Sequence, residues 1–324
     1  MPWNNIWQAD MANNGILPLI KNVSEDQKND SKGYVIIDLN PRLGCNNPNH
    51  EPSENREVNV LTNVVIPPHK KKSYELYEKL TDNYNMKLGE EEQFDPIELD
   101  EINTFLQYVI STEPMKIARE HVMNHNSNHT ISSDTEWIKL LYDIWFEPRR
   151  RGTTSAFEHI FLGEQGLKDG EIVLDGHHFW YHYYLKDGPF EITHQEDVIY
   201  FLKHFELQRS ERSRLGEVIT ITYKYVEDIP ENDGRVLFKR TGGFFVGLSP
   251  EGLLAMGTVA YINGEEEQMI TINDETYKLI TAIKTEDGVT FLRTFYQERK
   301  VTYFYQMTSL LCSHYMRMQG PFLC

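Results

Sequence analysis

Cysteine is scarce in this chain. Only Cys45, Cys312 and Cys324 occur among 324 residues. Their odd number and wide spacing exclude a disulfide framework and a zinc knuckle, and they are typical of reduced thiols in an intracellular protein. The sequence also lacks an apolar run of about 20 residues that would span a bilayer, and a signal peptide. We therefore expect a cytoplasmic or nuclear protein with no membrane partner and no obligate protein partner.

Basic residues are also in deficit. Lys and Arg together number 32 against 49 Asp and Glu, which gives a net charge of −17. The net charge counts against binding to nucleic acid through an extended basic surface, because such binding depends on many contacts to phosphate. An RNA partner would have to be bound locally, at one defined site.

Helical periodicity dominates the first 150 residues. Apolar residues recur at helical spacing in 73–85, after Asp95-Pro96 and in 133–145. Asp95 before a proline is typical of a helix start, and Ser133-Asp134-Thr135-Glu136 has the pattern of a capping box. The Asn-, Pro- and Glu-rich segment 40–58 is predicted to be a surface loop.

The periodicity changes to two in the second half, where β-branched and aromatic residues alternate between Gly or Asp-Gly turns. We predict an α+β chain, with a helical N-terminal lobe over 1–150 followed by a mainly antiparallel β region over 151–324, the two forming one unit. The predicted strands are 171–186, 217–226, 234–247, 257–262 and 289–306.

Histidines are concentrated in the segment Gly176-His177-His178-Phe179-Trp180-Tyr181-His182. If this segment is a strand, alternation places His178, Trp180 and His182 on one face and His177 on the other. A single histidine in an aromatic strand is usually structural, so a catalytic role requires partners elsewhere in the chain.

Two histidines and a lysine suffice to cleave RNA by transesterification. The nucleophile is the 2′-hydroxyl of the substrate, so one neutral imidazole removes its proton and one imidazolium protonates the departing 5′-oxygen. A cation stabilises the charge that gathers on the phosphoryl group, and no metal is needed to break the bond.

Three blocks of the sequence resemble the EndoU (XendoU-like) ribonucleases. The stretch SAFEHIFLGE at 155–164 resembles their SGFEHVFxGE signature, and GHHFW at 176–180 resembles their GFHNW segment. The stretch KRTGGFFVGLSPE at 239–251 resembles their KPVGSxFIGTSPE block, and the order of the blocks agrees. Similar segments lie upstream, so the resemblance covers most of residues 1–300.

The resemblance implies an endoribonuclease that acts on single-stranded RNA, at or near uridines, and leaves 2′,3′-cyclic phosphate ends. His178 would be the general base, His159 the general acid and Lys239 the electrostatic stabiliser. This assignment makes 151–324 the catalytic lobe.

Substrate contacts are implied for residues around the three blocks. Tyr296 would stack on the sugar or base with help from Thr294, and Trp180 is included because it shares the predicted face of His178. Gly243 stands where family members often carry a serine that reads uracil, with Thr241 two residues away. That departure weakens the prediction of a uridine preference.

A divalent cation, Mn²⁺ or Ca²⁺, is implied as an activator that the bond-breaking step does not require. Glu158 and Glu164, which flank His159, are the predicted metal-binding residues. Carboxylate oxygens are the ligands that hard cations prefer.

Two other functions are compatible with the sequence. His121, His125 and His129 recur every four residues, a spacing that on a helix would align three ligands of a metal-dependent hydrolase, although the intervening Asn-Ser-Asn disfavours helix. A catalytically weak or inactive EndoU-like RNA-binding protein would account for the altered residue at Gly243.

Overall fold

The chain is an α+β protein, as predicted. In this computed structural model the predicted loop 40–58 and the tail 301–324 lie outside the residues that can be described. The described residues are 1–38, 59–125, 131–149, 152–186, 199–208, 215–226 and 235–299.

Helices occur in both halves of the chain, and the two predicted helix starts, at Asp95 and Ser133, both belong to helices of the first half. Among the described residues, no helix is long and apolar enough to cross a membrane. The helices are α1 (Trp3–Ala12), α2 (Lys71–Glu78), α3 (Pro96–Val109), α4 (Glu113–His125), α5 (Asp134–Trp145), α6 (Trp180–Lys186) and α7 (Pro250–Asn263).

In the described ranges, the strands form three three-stranded sheets and one hairpin, and all pairs except β1–β2 are antiparallel. The sheets have the orders β1-β2-β3, β6-β7-β8 and β9-β10-β11, and β4 pairs with β5. The strands are β1 (Leu17–Ile20), β2 (Tyr34–Ile37), β3 (Leu61–Val65), β4 (Glu164–Lys168), β5 (Glu171–Asp175), β6 (Ile199–Gln208), β7 (Val218–Val226), β8 (Val236–Phe245), β9 (Glu267–Ile272), β10 (Glu275–Glu286) and β11 (Val289–Arg299).

Both predicted helix caps are confirmed. The Asp95 side chain accepts hydrogen bonds from the backbone N–H groups of Ile97 and Glu98, and the Glu98 carboxylate accepts one from Asp95 N–H at 2.6 Å. Ser133 and Glu136 form the same reciprocal arrangement at the start of α5. Each cap satisfies backbone donors that the first turn of a helix leaves without partners.

Outside the candidate site, two predictions from periodicity were wrong. Segment 257–262 is not a strand but the end of α7, which Ser249 caps and Pro250 begins. This helix is buried on all sides, so its sequence lacks the polar face by which a helix is recognised. Strands β1 to β3 also lie inside the half predicted as helical, because their short runs of four or five residues carry little periodic signal.

The main hydrophobic core contains residues from both predicted lobes. Helix α7 packs against α1 and α4 from the first half. The Trp145 indole N–H donates a hydrogen bond to Thr258 Oγ1 at 2.9 Å, and the rings of Trp7 and Phe245 are 6.4 Å apart. This packing attaches the helices to the strands that carry the candidate site.

Two carboxyl groups are buried where α1 meets the start of α7. Asp10 accepts hydrogen bonds from the Ser249 backbone N–H, at 2.8 Å, and from its hydroxyl. Glu251 accepts hydrogen bonds from Asn14 at 2.5 Å and from Ser73. Burial is the main cause that raises the pKa of both Asp10 and Glu251.

These groups predict a stability that falls as pH rises. A carboxyl whose pKa is raised in the folded state keeps its proton after the unfolded chain has lost it, so folding binds protons above an ordinary carboxyl pKa of about 4. Each such group lowers the free energy of unfolding by about 1.4 kcal/mol per pH unit from there up to its raised pKa. Thermal unfolding of wild type and Asp10→Asn, measured from pH 5 to 8, should show a steeper decline for the wild type. Parallel curves would contradict this prediction.

Candidate active site

His159 lies on a π-helical turn, Glu158–Leu162. The turn closes with a hydrogen bond from Gly163 N–H to Glu158 C=O at 2.8 Å, and Gly163 has a φ of 83° that a residue with a side chain rarely adopts. Insertions of this kind are frequent at functional sites because they displace a side chain from regular helical spacing.

Backbone hydrogen bonds join this turn to the segment that carries His178. His177 N–H donates to His159 C=O at 2.8 Å, and His178 N–H donates to Ile160 C=O at 2.7 Å. The two backbone segments approach so closely that a Cβ on Gly176 would lie 1.8 Å from the His159 carbonyl oxygen. The glycine of the GHHFW block is therefore required by packing.

The predicted strand 171–186 ends early, which corrects the argument from alternation. Strand β5 stops at Asp175, Gly176 and His177 have φ values of 67° and 60°, and α6 begins at Trp180. Positive φ values turn the chain, so residues two apart no longer share a face. His182 does not lie beside His178: it is buried, with its Nδ1 2.9 Å from the Tyr77 hydroxyl.

His177 also points into the interior, where its Nδ1 is 2.6 Å from the Tyr223 hydroxyl. Burial lowers the pKa of His177 well below its ordinary value and lowers that of His182 to about 3. Both rings are therefore neutral, structural groups. Of this segment's three histidines, His178 is the one that lines a cavity of about 450 Å³, which His159 and Lys239 also line.

His178 has the environment of a neutral base. Its Nδ1 lies 3.3 Å from the Gly243 carbonyl oxygen, which only accepts hydrogen bonds, so Nδ1 carries the proton and Nε2 has a free lone pair. Burial lowers the pKa of His178 well below its ordinary value, and the Lys239 ammonium adds to the shift. The Tyr296 ring stacks on the imidazole with centroids 5.0 Å apart.

His159 has a different partner, the Glu164 carboxylate. His159 Nδ1 lies 2.9 Å from Glu164 Oε1, so Nδ1–H donates and Nε2 remains for chemistry. Burial lowers the pKa of His159 and the Arg293 guanidinium adds to this, while Glu164 acts in the opposite direction. The ring centroids of His159 and His178 are 6.4 Å apart.

Lys239, the third predicted catalytic residue, lies on β8, and this strand packs against β5 and β11. Its buried ammonium donates a hydrogen bond to the Gly176 carbonyl oxygen, and burial lowers the pKa of Lys239 to about 8. His159, His178 and Lys239 line one cavity of about 450 Å³. Thr241, Thr294 and Tyr296, which the sequence predicted as substrate contacts, line the same cavity.

The other two predicted substrate contacts do not line this cavity. Trp180 is fully buried and its indole N–H donates to the Leu248 carbonyl oxygen at 2.6 Å, because α6 turns it away from His178. Gly243 acts through its backbone, as the acceptor for His178. A Cβ at Gly243 would lie 3.0 Å from the Gln297 carbonyl oxygen, so a serine would be crowded there.

Of the two predicted metal-binding glutamates, Glu164 belongs to a group with metal-ligand spacing. Among the described residues, the group with metal-ligand spacing is His159, Glu164 and Asp175, whose ligand atoms lie within 4.8 Å of one another. Glu158 is not in this group. It is buried, and burial, followed by the charge of Glu164, raises the pKa of Glu158 well above its ordinary value. A protonated carboxyl is a poor metal ligand.

Arg293 occupies the space that a metal ion would need. Its Nη2 lies 2.6 Å from Glu164 Oε1 and 3.0 Å from Asp175 Oδ2, and the same Glu164 oxygen already accepts from His159. A guanidinium between the carboxylates repels a second cation at that position. The group as arranged therefore does not fit a divalent ion.

The alternative histidine trio is only partly described, because His129 lies outside the described residues. His121 and His125 lie on α4 with stacked rings 3.9 Å apart. His121 Nε2 is 2.9 Å from Asn263 Oδ1, and His125 Nδ1 donates to the His121 carbonyl oxygen at 3.0 Å. These contacts give both residues a structural role at the end of the helix.

Sequence reasoning missed Asp175 and Arg293. Asp169-Gly170 is a two-residue turn typical of hairpins, and its register pairs Glu164 with Asp175, so the sequence contains a signal for that pair. Arg293 has no comparable signal, although it precedes Thr294. The cavity wall also includes Lys168 and Phe238, which no motif contains, and Arg240, which lies in the third block but had no predicted role.

An α+β chain with two imidazoles and one ammonium around a single cavity defines a protein with an acid–base centre suited to phosphoryl transfer. The sequence model described as Endoribonuclease XendoU matches residues 16–297 of this chain. The chain belongs to the XendoU family.

Individual relatives agree with this family. The poly(U)-specific endoribonuclease of Xenopus tropicalis is 28% identical over 202 residues, which are 61% of this chain and 62% of that protein. The uridylate-specific endoribonuclease C of Danio rerio is 25% identical over 297 residues, or 86% of this chain and 81% of that protein. The alignments with the Xenopus relatives thus span about three fifths of their length.

A solved structure has the same fold. It is described as "The structure of XendoU: a splicing independent snoRNA processing endoribonuclease", and it superposes with a TM-score of 0.61 at 21% identity. The match covers 91% of this chain and 94% of that one. The combination of helices and antiparallel sheets is therefore that of XendoU.

Proposed function

We propose that this protein is an endoribonuclease that cleaves single-stranded RNA and leaves 2′,3′-cyclic phosphate ends. The observation that carries the proposal is the convergence of His159, His178 and Lys239 on one cavity. The family and the relatives named as poly(U)- and uridylate-specific endoribonucleases support it.

The environments of the two histidines support different roles. His178, whose pKa is lowered and whose Nε2 is unprotonated, removes the proton of the 2′-hydroxyl as that oxygen attacks phosphorus. His159, paired with a carboxylate that stabilises its imidazolium, protonates the departing 5′-oxygen. Lys239 stabilises the negative charge on the phosphoryl oxygens. One proton enters at His178 and one leaves from His159, so cleavage is balanced without another reactant.

Base choice is proposed to favour uridine through Thr241 and Tyr296. Both line the cavity, and Tyr296 stands on the same side as the base His178, against which it stacks. The nucleoside that carries the attacking 2′-hydroxyl would therefore lie near Tyr296. Because a serine is crowded at position 243, Thr241 supplies the nearest side-chain hydroxyl on β8.

A divalent cation, Mn²⁺ or Ca²⁺, is proposed to stimulate cleavage from outside the catalytic centre. The net charge of −17 repels RNA, and cations bound to surface carboxylates would reduce this repulsion. The cation should therefore strengthen RNA binding and leave the bond-breaking step unchanged. A dissociation constant that does not respond to Mn²⁺ or Ca²⁺ would contradict this part of the proposal.

The proposed activity is tested with a labelled oligoadenylate that contains one uridine. Incubation with Mn²⁺, Ca²⁺ or a chelator should produce a fragment that ends in a 2′,3′-cyclic phosphate at the uridine, identified by its mass. The matched control has 2′-deoxyuridine at that position and should not be cut, because the nucleophile is missing. Cutting of this control would overturn the mechanism, and binding without cleavage of either RNA would favour the inactive RNA-binding alternative.

A further inference from the structure

The hairpin β4–β5 brings two negative charges together beside His159. Glu164 and Asp175 are directly paired across the two strands. Like charges at paired positions repel each other. Burial raises both pKa values, but two sets of interactions lower them to about 2. At Glu164 these are the hydrogen bond and charge of His159, followed by the charge of Arg293. At Asp175 they are the charges of His159, Lys239 and Arg293, in that order. Both carboxylates are therefore ionised.

The compensating guanidinium comes from an irregular point of β11. Leu292 pairs with Ile283 and Thr294 pairs with Ala282, so Arg293 is an extra residue at a β-bulge in the ladder with β10. Bulges redirect side chains and are common beside active sites. The Arg293 side chain is only 13% exposed and contacts both carboxylates through Nη2.

The chain of contacts runs from Arg293 to Glu164 and from Glu164 to Nδ1 of His159. Because one Glu164 oxygen receives both partners, the position of this carboxylate depends on Arg293 as well as on His159. A displaced Glu164 would no longer hold the imidazole with Nε2 available to the leaving group.

We propose that Arg293 is the resident cation of the Glu164–Asp175 pair, occupying the position of a divalent metal ion, and that it positions His159 through Glu164. This inference rests on the proposed ribonuclease function. It assigns Arg293 a positioning role rather than contact with the RNA. If Arg293 holds this position, a divalent cation that stimulates RNA binding acts at surface carboxylates and not at the catalytic centre.

Arg293→Ala tests the inference with a uridine-containing dinucleotide as substrate and a chelator present. We expect kcat to fall by about 10- to 100-fold with KM nearly unchanged, since a small misplacement of a catalytic group has effects of this size. Added guanidinium ion should restore part of kcat in Arg293→Ala and should not accelerate the wild type. Arg119→Ala, which removes a surface ion pair with Asp134, is the matched control and should cleave at the wild-type rate.

Metal binding provides the second readout. Without Arg293 the two carboxylates and His159 form a vacant set of ligands, so Arg293→Ala should bind one Mn²⁺ more than the wild type in a calorimetric titration. If Arg293→Ala does not fold, Arg293→Lys keeps one positive charge but cannot bridge both oxygens in the same way, and it should show a three- to tenfold lower kcat at unchanged KM.

Several results would overturn the inference. One is a wild-type kcat in Arg293→Ala or, where that variant does not fold, in Arg293→Lys. Another is a Mn²⁺ ion bound by the wild type and lost in Asp175→Asn. A wild type that does not cleave the dinucleotide under any condition would instead contradict the proposed function itself, so the two failures are distinguishable.

Discussion

Replacing His178 with alanine is expected to lower the rate of RNA cleavage by about 10²- to 10⁴-fold, the usual contribution of a general base. The reason is that His178 Nδ1–H donates to the Gly243 carbonyl oxygen, which leaves Nε2 of the same ring unprotonated and able to accept the proton of the 2′-hydroxyl. The measurement is the single-turnover rate on the uridine-containing oligonucleotide, with far-UV circular dichroism to verify folding.

Two control variants test whether the loss of activity is specific to His178. His125→Ala changes a histidine of the alternative trio that is exposed at the end of α4, and it should cleave at the wild-type rate. His182→Gln changes a buried histidine near His178 in the sequence that contacts Tyr77. It should lower the melting temperature, while the rate measured on folded protein stays close to that of the wild type. Loss of activity in His125→Ala with full activity in His178→Ala would support the metal-dependent hydrolase.

Replacing Lys239 with methionine is expected to lower kcat by about 10²- to 10³-fold, the loss typical of removing one donor that stabilises a developing charge. Methionine retains the length and the apolar stem, so burial and packing change little. Lys239→Arg restores a cation and should recover part of this loss. A methionine variant with wild-type kcat would exclude Lys239 from the chemistry.

The same lysine predicts a pH dependence. Burial lowers the pKa of Lys239 to about 8, so its ammonium is present below that pH and is lost as pH rises through it. An arginine keeps its charge over this range. The ratio of the wild-type rate to that of Lys239→Arg should therefore fall between pH 7 and 9. A constant ratio would show that the charge of Lys239 does not titrate there.

Local signals account for much of what the sequence predicted correctly. The caps at Asp95 and Ser133 depend on residues within three positions of one another, so they are visible in the sequence. Strands β7 and β8 were recognised because they are rich in β-branched and aromatic residues and lie between turns. The helix α7 was missed over 257–262 because its burial on all sides removes the contrast between faces that a period needs.

In the segment 176–182, the sequence favoured a histidine that lines the cavity but predicted the wrong secondary structure for it. His178 was favoured by the motif and by strand alternation, but the chain turns at Gly176 and His177 and becomes helical at Trp180. The motif remained informative because it reflects the close approach of Gly176 to His159. Alternation wrongly placed Trp180 on the face of His178. The positive φ of His177 turns the chain there, and nothing about a histidine in the sequence indicates a positive φ.

The sequence by itself determined the α+β class, the family resemblance and the identity of His159, His178 and Lys239 as candidates, because these depend on local patterns and on short motifs. Only the tertiary structure decided that the three line one cavity, that Trp180 lies outside it, and that Arg293 neutralises Glu164 and Asp175. The physical reason is that charge compensation depends on distances between residues more than a hundred positions apart, which no local pattern encodes.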